Sequence, residues 1–390
     1  MCHHAALSFE MCTQEQKVKR LMTSLLMLAC LAGSGCEGYG SRQHAGVGGA
    51  ANQATPALRR SEEESQRLFP VQKGGKLGFI DKTGKLVVQP VFEPDYFVAG
   101  GVFSEGMAQI TSGSEGGKKK YGFIDRTGKV VVPPQYDETR DFSEGVAAVG
   151  LNGLYGFIDK AGSVVIPLQF TSASSFSEGL AGVCTGNGCG FIDKAGTLVI
   201  PARFRSAGVF SDGLAHVHIE PFKNAFIDKT GTVVFEQPIV GGNYRFSDGL
   251  LPISINKKDG FIDRTGRVVI EPVYNSAYAF SDGLARVLVG DKQNSKFGFI
   301  DRTGTMVIKP QYSLADDFSE GRAAVEIKGR WGYIDKTGRV VVKPQFDSAG
   351  DFIDGIAPVS VGAVHADVPQ KKVRNGYIDL TGKYVWEPSQ

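Results

Sequence analysis

The tripeptide Phe/Tyr-Ile-Asp occurs nine times in this chain, and in every copy a glycine stands three positions after the aspartate. The pairs are Asp81 with Gly84, Asp125 with Gly128, Asp159 with Gly162, Asp193 with Gly196, Asp228 with Gly231, Asp263 with Gly266, Asp301 with Gly304, Asp335 with Gly338 and Asp379 with Gly382. Successive aspartates lie 34 to 44 residues apart. Self-similarity at such a period marks a tandem array of small units, each unable to bury its own apolar face. The 390 residues therefore do not imply two or three independent cores.

One copy shows the unit. Phe142-Ser143-Glu144-Gly145 opens it and Val146-Ala147-Ala148-Val149 follows. Tyr155-Gly156-Phe157-Ile158-Asp159 comes next, then a turn to Gly162, then Val164-Val165-Ile166-Pro167. Asp-Lys/Arg-Thr/Ala-Gly is turn chemistry: the carboxylate accepts a backbone N–H two residues on, and glycine supplies a positive φ. The β-branched run has no helical period and reads as a strand. It is apolar at consecutive positions, which predicts cover on both faces. The proline after it is expected to end the ladder, because it offers no N–H. Each unit is thus a three-stranded antiparallel meander, with room for a short fourth strand before Phe-Ser-Glu-Gly. Two residues after that glycine an alanine recurs, at Ala108, Ala147, Ala181, Ala215, Ala285, Ala323 and Ala357, with Leu251 as the exception. Such a small residue marks a place where units meet closely.

The fold class is all-β, a tandem array of these meanders over residues 69–390. An open twisted superhelix is the expected assembly, since nine is an awkward blade number and the spacing varies. A β-propeller-like ring is the alternative, which the interior alanines keep in play.

The first 36 residues stand outside the array. Lys17, Lys19 and Arg20 form a basic flank, and Leu21 to Ala32 an apolar stretch too short to span a bilayer stably. This reads as a secretory signal. Leu31-Ala32-Gly33-Ser34-Gly35-Cys36 resembles a bacterial lipoprotein processing site, although Gly33 stands where an aliphatic residue is usual. The resemblance implies acylation of Cys36 and membrane attachment through lipid alone. Cys30 is a second candidate, and ordinary cleavage near Gly35 into a periplasmic or secreted protein is the alternative. Residues 37–68 are rich in Gly, Ala, Ser, Gln and charge, and read as a disordered tether.

Trp331-Gly332-Tyr333-Ile334-Asp335-Lys336-Thr337-Gly338, with Val340-Val341-Val342-Lys343-Pro344 after it and Phe318-Ser319-Glu320-Gly321 before it, resembles the bacterial WG-containing repeat. The likeness spans residues 69–390. The chain departs from it at the tryptophan, which only Trp331 keeps, and at Ala225, which replaces the glycine. The resemblance implies a β-rich repeat, often found in exported bacterial proteins. It implies no reaction, no cofactor and no residue-level site.

The chemistry read from the residues is sparse. Lysine and arginine nearly balance the acids, at a formal charge of +2, which argues against broad nucleic-acid binding. The nine turn aspartates each close a hairpin, and catalysis by carboxylates would need one close pair. His216 and His218 share a strand face and could begin a metal site with Glu220, but no full ligand set is evident, and no metal is assigned. No catalytic residue is assigned, and the chain is read as non-enzymatic. Cys184 and Cys189 flank a hairpin tip, and in an exported protein a cross-strand disulfide is expected. The expected function is an extended surface for a protein or glycan of the cell envelope. The alternative is a carbohydrate-active enzyme or ligand sensor, with a pocket formed by the loops at 113–120, 292–296 and 362–374.

Overall fold

A computed structural model describes residues 67–93, 102–111, 119–220, 223–237, 245–291, 293–362 and 373–389. The signal segment, Cys36, the tether and most of the loops at 113–120 and 362–374 lie outside them. Among the described residues the strands form nine antiparallel sheets of three or four strands. The sheets, here called blades 1 to 9, follow one another in chain order from residues 69–92 to residues 348–389.

Blade 3 shows the pattern. A short strand, Glu138–Thr139, precedes the first strand Val146–Leu151, the second Leu154–Asp159 and the third Val164–Phe170, and they lie side by side in that order. The short strand turns into the first through Ser143-Glu144-Gly145-Val146. Here Glu144 has φ 55° and Gly145 φ 90°, the positive pair that suits a two-residue hairpin.

The core lies between blades. Met107, Phe123, Val132 and Tyr136 of blade 2 pack with Phe142, Ala147, Val149 and Ile158 of blade 3. The recurring alanines are fully buried at these seams, because a larger side chain would hold neighbouring sheets apart. The second-strand aromatic of one blade meets the motif phenylalanine of the next, as in Phe123–Phe142 at 4.9 Å and Phe157–Phe176 at 5.0 Å.

The same packing returns to the start. Ile356 and Tyr377 of blade 9 form one cluster with Phe69, Val71 and Ile80 of blade 1. Tyr377 donates its hydroxyl hydrogen to the Pro70 carbonyl at 3.0 Å. An open row of nine sheets has eight seams, whereas the described residues form nine inter-blade clusters. The array is therefore a closed, propeller-like ring. The open superhelix is not what forms, since it would leave the apolar faces of blades 1 and 9 in water.

The short strands face the axis of this ring. Along that edge, equivalent positions of successive blades bond directly: Ser143 Oγ donates to the Phe176 carbonyl at 2.7 Å and Ser177 Oγ to the Phe210 carbonyl at 2.7 Å. Equivalent positions in a ring approach most closely near its axis.

The third strands form the outer rim, and two expectations change there. Val164 and Val165 are 51% and 45% exposed, and only Ile166 of the run is buried. An outermost strand has no neighbour on its far side, so cover on both faces is lost. Pro167 does not end the strand, which continues to Phe170 past an irregularity in register between Phe157–Ile166 and Tyr155–Phe170. A bulge on an edge strand tolerates the missing N–H.

Candidate functional site at the inner edge

The turn aspartates act within their own hairpins. Asp335 Oδ1 accepts from the Thr337 amide at 3.0 Å, the Thr337 hydroxyl at 2.6 Å and the Arg339 amide at 3.1 Å. The Thr337 hydroxyl bond, with those amides, lowers the Asp335 pKa against a smaller opposing effect of desolvation. In Asp81, Asp125, Asp263 and Asp379 desolvation is the largest single effect and pushes upward, but the summed hydrogen bonds outweigh it and the net shift is down. Each turn glycine has a φ between 81° and 86°. Cys184 and Cys189 are directly opposed in register and form a disulfide at that hairpin tip.

His216 and His218 do share a face, with ring centroids 4.9 Å apart. Their contacts are structural: His216 Nε2 lies 2.9 Å from Asn224 Oδ1, and His218 Nδ1 lies 2.9 Å from Ser206 Oγ. Burial is the main reason the His216 pKa is lowered. Among the described residues no group of three or more His, Cys, Asp or Glu is placed to hold a metal.

A different set of residues converges on the axis. The position after the recurring alanine meets the short-strand segment of the next blade at Gln109, Gly182 and Arg286, and its identity changes around the ring: Gln109, Ala148, Gly182, His216, Pro252, Arg286, Ala324 and Pro358. Gln109 reaches across to Thr139, whose hydroxyl donates to it at 2.7 Å, and to Asp141. Arg286 donates to the Ala315 carbonyl. Its Nε lies 3.2 Å from Asp317 Oδ1 and its Nη1 3.6 Å from Asp316 Oδ1. Its guanidinium carbon stands 4.0 Å from the Tyr278 ring centroid, a cation–π geometry.

Asp351 of blade 9 joins this group electrostatically. Partial desolvation raises the pKa of Asp316, Asp317 and Asp351; mutual repulsion adds to it for Asp316 and Asp351, and Arg286 opposes it in all three. Tyr333 is raised as well, by burial and then by Asp351 and Asp316, and its hydroxyl donates to the Gly350 carbonyl at 2.8 Å. The result is an acidic patch with one cation and one aromatic face. Sequence reasoning missed it. The available signal reached Arg286 alone: the residue after each alanine varies while its neighbours repeat.

A second concavity opens at the seam between blades 9 and 1. It is a cavity of about 430 Å³ walled by Pro70 and Val71 on one side and by Ser348, Gly350, Pro358 and Tyr377 on the other.

The profile of the family described as WG containing repeat matches residues 78–113, 121–155, 155–189, 190–217, 260–292, 297–331 and 331–363. No curated protein matches the chain. Among solved structures it is similar to BamB from Moraxella catarrhalis, at 17% identity over 55% of this chain and 76% of that one, with a TM-score of 0.35. It is also similar to apo AztD from Citrobacter koseri, at 14% identity over 83% of this chain and 93% of that one, again with a TM-score of 0.35.

Proposed function

The chain belongs to the WG containing repeat family, and from that premise we propose that it is a non-enzymatic, exported scaffold that binds a protein partner at the cell envelope. The observation that carries this reading is the variable position after each alanine. Everything around it repeats because packing demands it, whereas this position is free to differ, and at Arg286 it supplies the cation around which Asp316, Asp317 and Asp351 gather. Carboxylates with raised pKa at an inner edge are costly to the fold, which favours a role outside it. Acylation at Cys36 would place this ring on a membrane at the end of a tether, in the outer membrane or at the cell surface.

Fractionation and affinity capture test the reading. The full-length protein should partition with membranes and carry acyl mass at Cys36, and Cys36→Ser should release it. The immobilised ring should retain an envelope protein in a salt-sensitive way, and Asp316→Asn with Asp351→Asn should weaken retention. Retention of glycan alone, or turnover of a glycan, would replace this reading with the sensor or enzyme. Closure into a ring with a shared centre supports that second reading more than an open array would.

A further inference from the structure

Among the described residues, five blades join their first and second strands through a two-residue tip, flanked by the pairs Lys73–Lys76, Leu151–Leu154, Thr185–Gly188, Ile255–Lys258 and Ile327–Arg330. In four of them both tip residues have positive φ: Gly74 and Gly75 at 58° and 77°, Asn152 and Gly153 at 53° and 79°, Asn256 and Lys257 at 53° and 63°, Lys328 and Gly329 at 54° and 78°. That turn geometry matches the right-handed twist of the strands it joins. Blade 4 differs. Neither Gly186 nor Asn187 has a φ in the left-handed region, and the positive φ falls on Gly188, at 128°. The Asn-Gly pair that favours the twisted turn is present as Asn187-Gly188, one residue late. Centred there, the turn would pair Gly186 with Cys189 and set Cys184 opposite Phe191. The tip's own bonds are long: Thr185 Oγ1 donates to the Gly188 carbonyl and accepts from the Asn187 amide, both at 3.2 Å.

The second support of a hairpin, a packed cross-strand pair, is also absent from this tip. Cys189 pairs with Cys184 and Phe204 as Tyr155 pairs with Gly150 and Phe170, and as Trp331 pairs with Glu326 and Phe346. In blade 3 the Tyr155 ring covers its partner so closely that a Cβ on Gly150 would stand 2.9 Å from a ring carbon. In blade 4 two small side chains take that place, and the disulfide joins them. Ala181, Val183, Phe191 and Ile192 are fully buried, so the inner part of the hairpin keeps its register without the bond. The tip does not have that protection.

We propose that Cys184–Cys189 is a redox-sensitive latch: oxidised it holds the tip of blade 4, and reduced it lets that tip and the short strand beside it fray. The short strand Ser172–Ala173 pairs only with Cys184 and Val183, and the Thr171 amide donates to the Cys184 carbonyl at 2.9 Å. The Ala173 carbonyl in turn accepts from Arg140 Nε of blade 3 at 2.9 Å, so the latch reaches the inner edge of the ring. The co-reactant is a dithiol. Its thiolate attacks the Sγ of Cys184, which is half-buried, and the buried Cys189 leaves as a thiolate that takes up a proton. The second thiol of the dithiol then displaces Cys184 and closes its own disulfide. The protein gains two electrons and two protons, and the dithiol loses them.

The test is native reduction of the full chain with dithiothreitol, followed by peptide mapping of alkylated Cys184 and Cys189 and by hydrogen exchange. Both thiols should become alkylated while the ring stays folded. Exchange should quicken at least about tenfold at residues 171–174 and 185–189 and stay unchanged at residues 155–159. The variant Cys184→Ser with Cys189→Ser should exchange like the reduced protein. Adding Gly186→Asn and Asn187→Gly, which sets an Asn-Gly pair on the two tip residues, should restore slow exchange without the bond. A bond that resists dithiothreitol until the ring unfolds, unchanged exchange after reduction, unfolding of the whole ring on reduction, or no recovery with the Asn-Gly tip would overturn the proposal. Membrane partitioning and partner capture are read separately, so failure here leaves the scaffold reading standing.

Discussion

At the scale of single residues, two groups of carboxylates in this ring have opposite consequences. The turn aspartates Asp228, Asp301 and Asp335 have lowered pKa values, chiefly through the hydroxyls of Thr230, Thr303 and Thr337. Their contribution to stability is present above the unfolded value of 3.8 and is lost as pH falls through the lower folded value. Asp351 is raised, by desolvation first and Asp317 second, with Arg286 opposing. Between 3.8 and its folded value the native state binds more protons than the unfolded chain, so stability falls as pH rises through that window. Asp351→Asn is therefore expected to stabilise the protein at pH 7, by less than about 1 kcal/mol because the side chain remains partly wet. The gain should vanish near pH 3. Thermal unfolding at both pH values checks this, and a loss of stability at pH 7 would show that Asp351 is a structural partner of Arg286.

At the scale of the strand, the glycine of the repeat is explained by the bulge opposite it. A Cβ on Gly156 would lie 2.5 Å from the Ile166 carbonyl oxygen, and one on Gly332 2.6 Å from the Val342 carbonyl oxygen. The bulged third strand presses its backbone onto the second strand there. Blade 5 is the control within the same chain. Ala225 replaces the glycine, and the ladder runs without interruption through Phe226–Phe235, Ala225–Glu236 and Asn224–Gln237. The proline there, Pro238, comes two residues later than Pro167 of blade 3 and one later than Pro344 of blade 8. Gly156→Ala should thus destabilise by about 1–3 kcal/mol through overpacking. Placing the same alanine at 225 costs nothing, since it is native. Denaturant unfolding of Gly156→Ala measures the cost, and an unchanged midpoint would show that the third strand yields freely.

At the scale of the molecule, closure decides how the ring fails. Removing Phe352 to Gln390 from an open array would take away one end unit and leave its neighbours nearly intact. In the ring it removes most of blade 9 and two seams together: the one that joins Ala324, Tyr333 and Val342 to Phe352, Ala357 and Ile378, and the one that joins Tyr377 to Phe69. Two apolar faces and two strand edges are then exposed. The truncated protein is expected to aggregate or to lose its cooperative transition, as read by size-exclusion chromatography and thermal unfolding. A monomeric truncation melting within a few degrees of the full chain would mean that the closing seam contributes little.

The sequence by itself determined everything that depends on neighbours along the chain. Nine Asp-x-x-Gly turns, a β-branched strand after each and a small residue two places beyond Phe-Ser-Glu-Gly are local chemistry, and they settle the meander and its family. The cross-strand pairing of Cys184 with Cys189 was legible for the same reason, because five residues and one hairpin bring them together. Ring or row was not legible. That choice rests on the small rotation between blades, summed nine times, and on whether Tyr377 meets a residue more than 300 positions away, Pro70. The exposure of Val164 and Val165 was hidden likewise, since being outermost is a property of the sheet and not of the strand. The inner-edge patch was the least visible of all. Arg286, Asp316, Asp317 and Asp351 belong to three different blades, and only closure around a common axis turns three unremarkable surface segments into one electrostatic site.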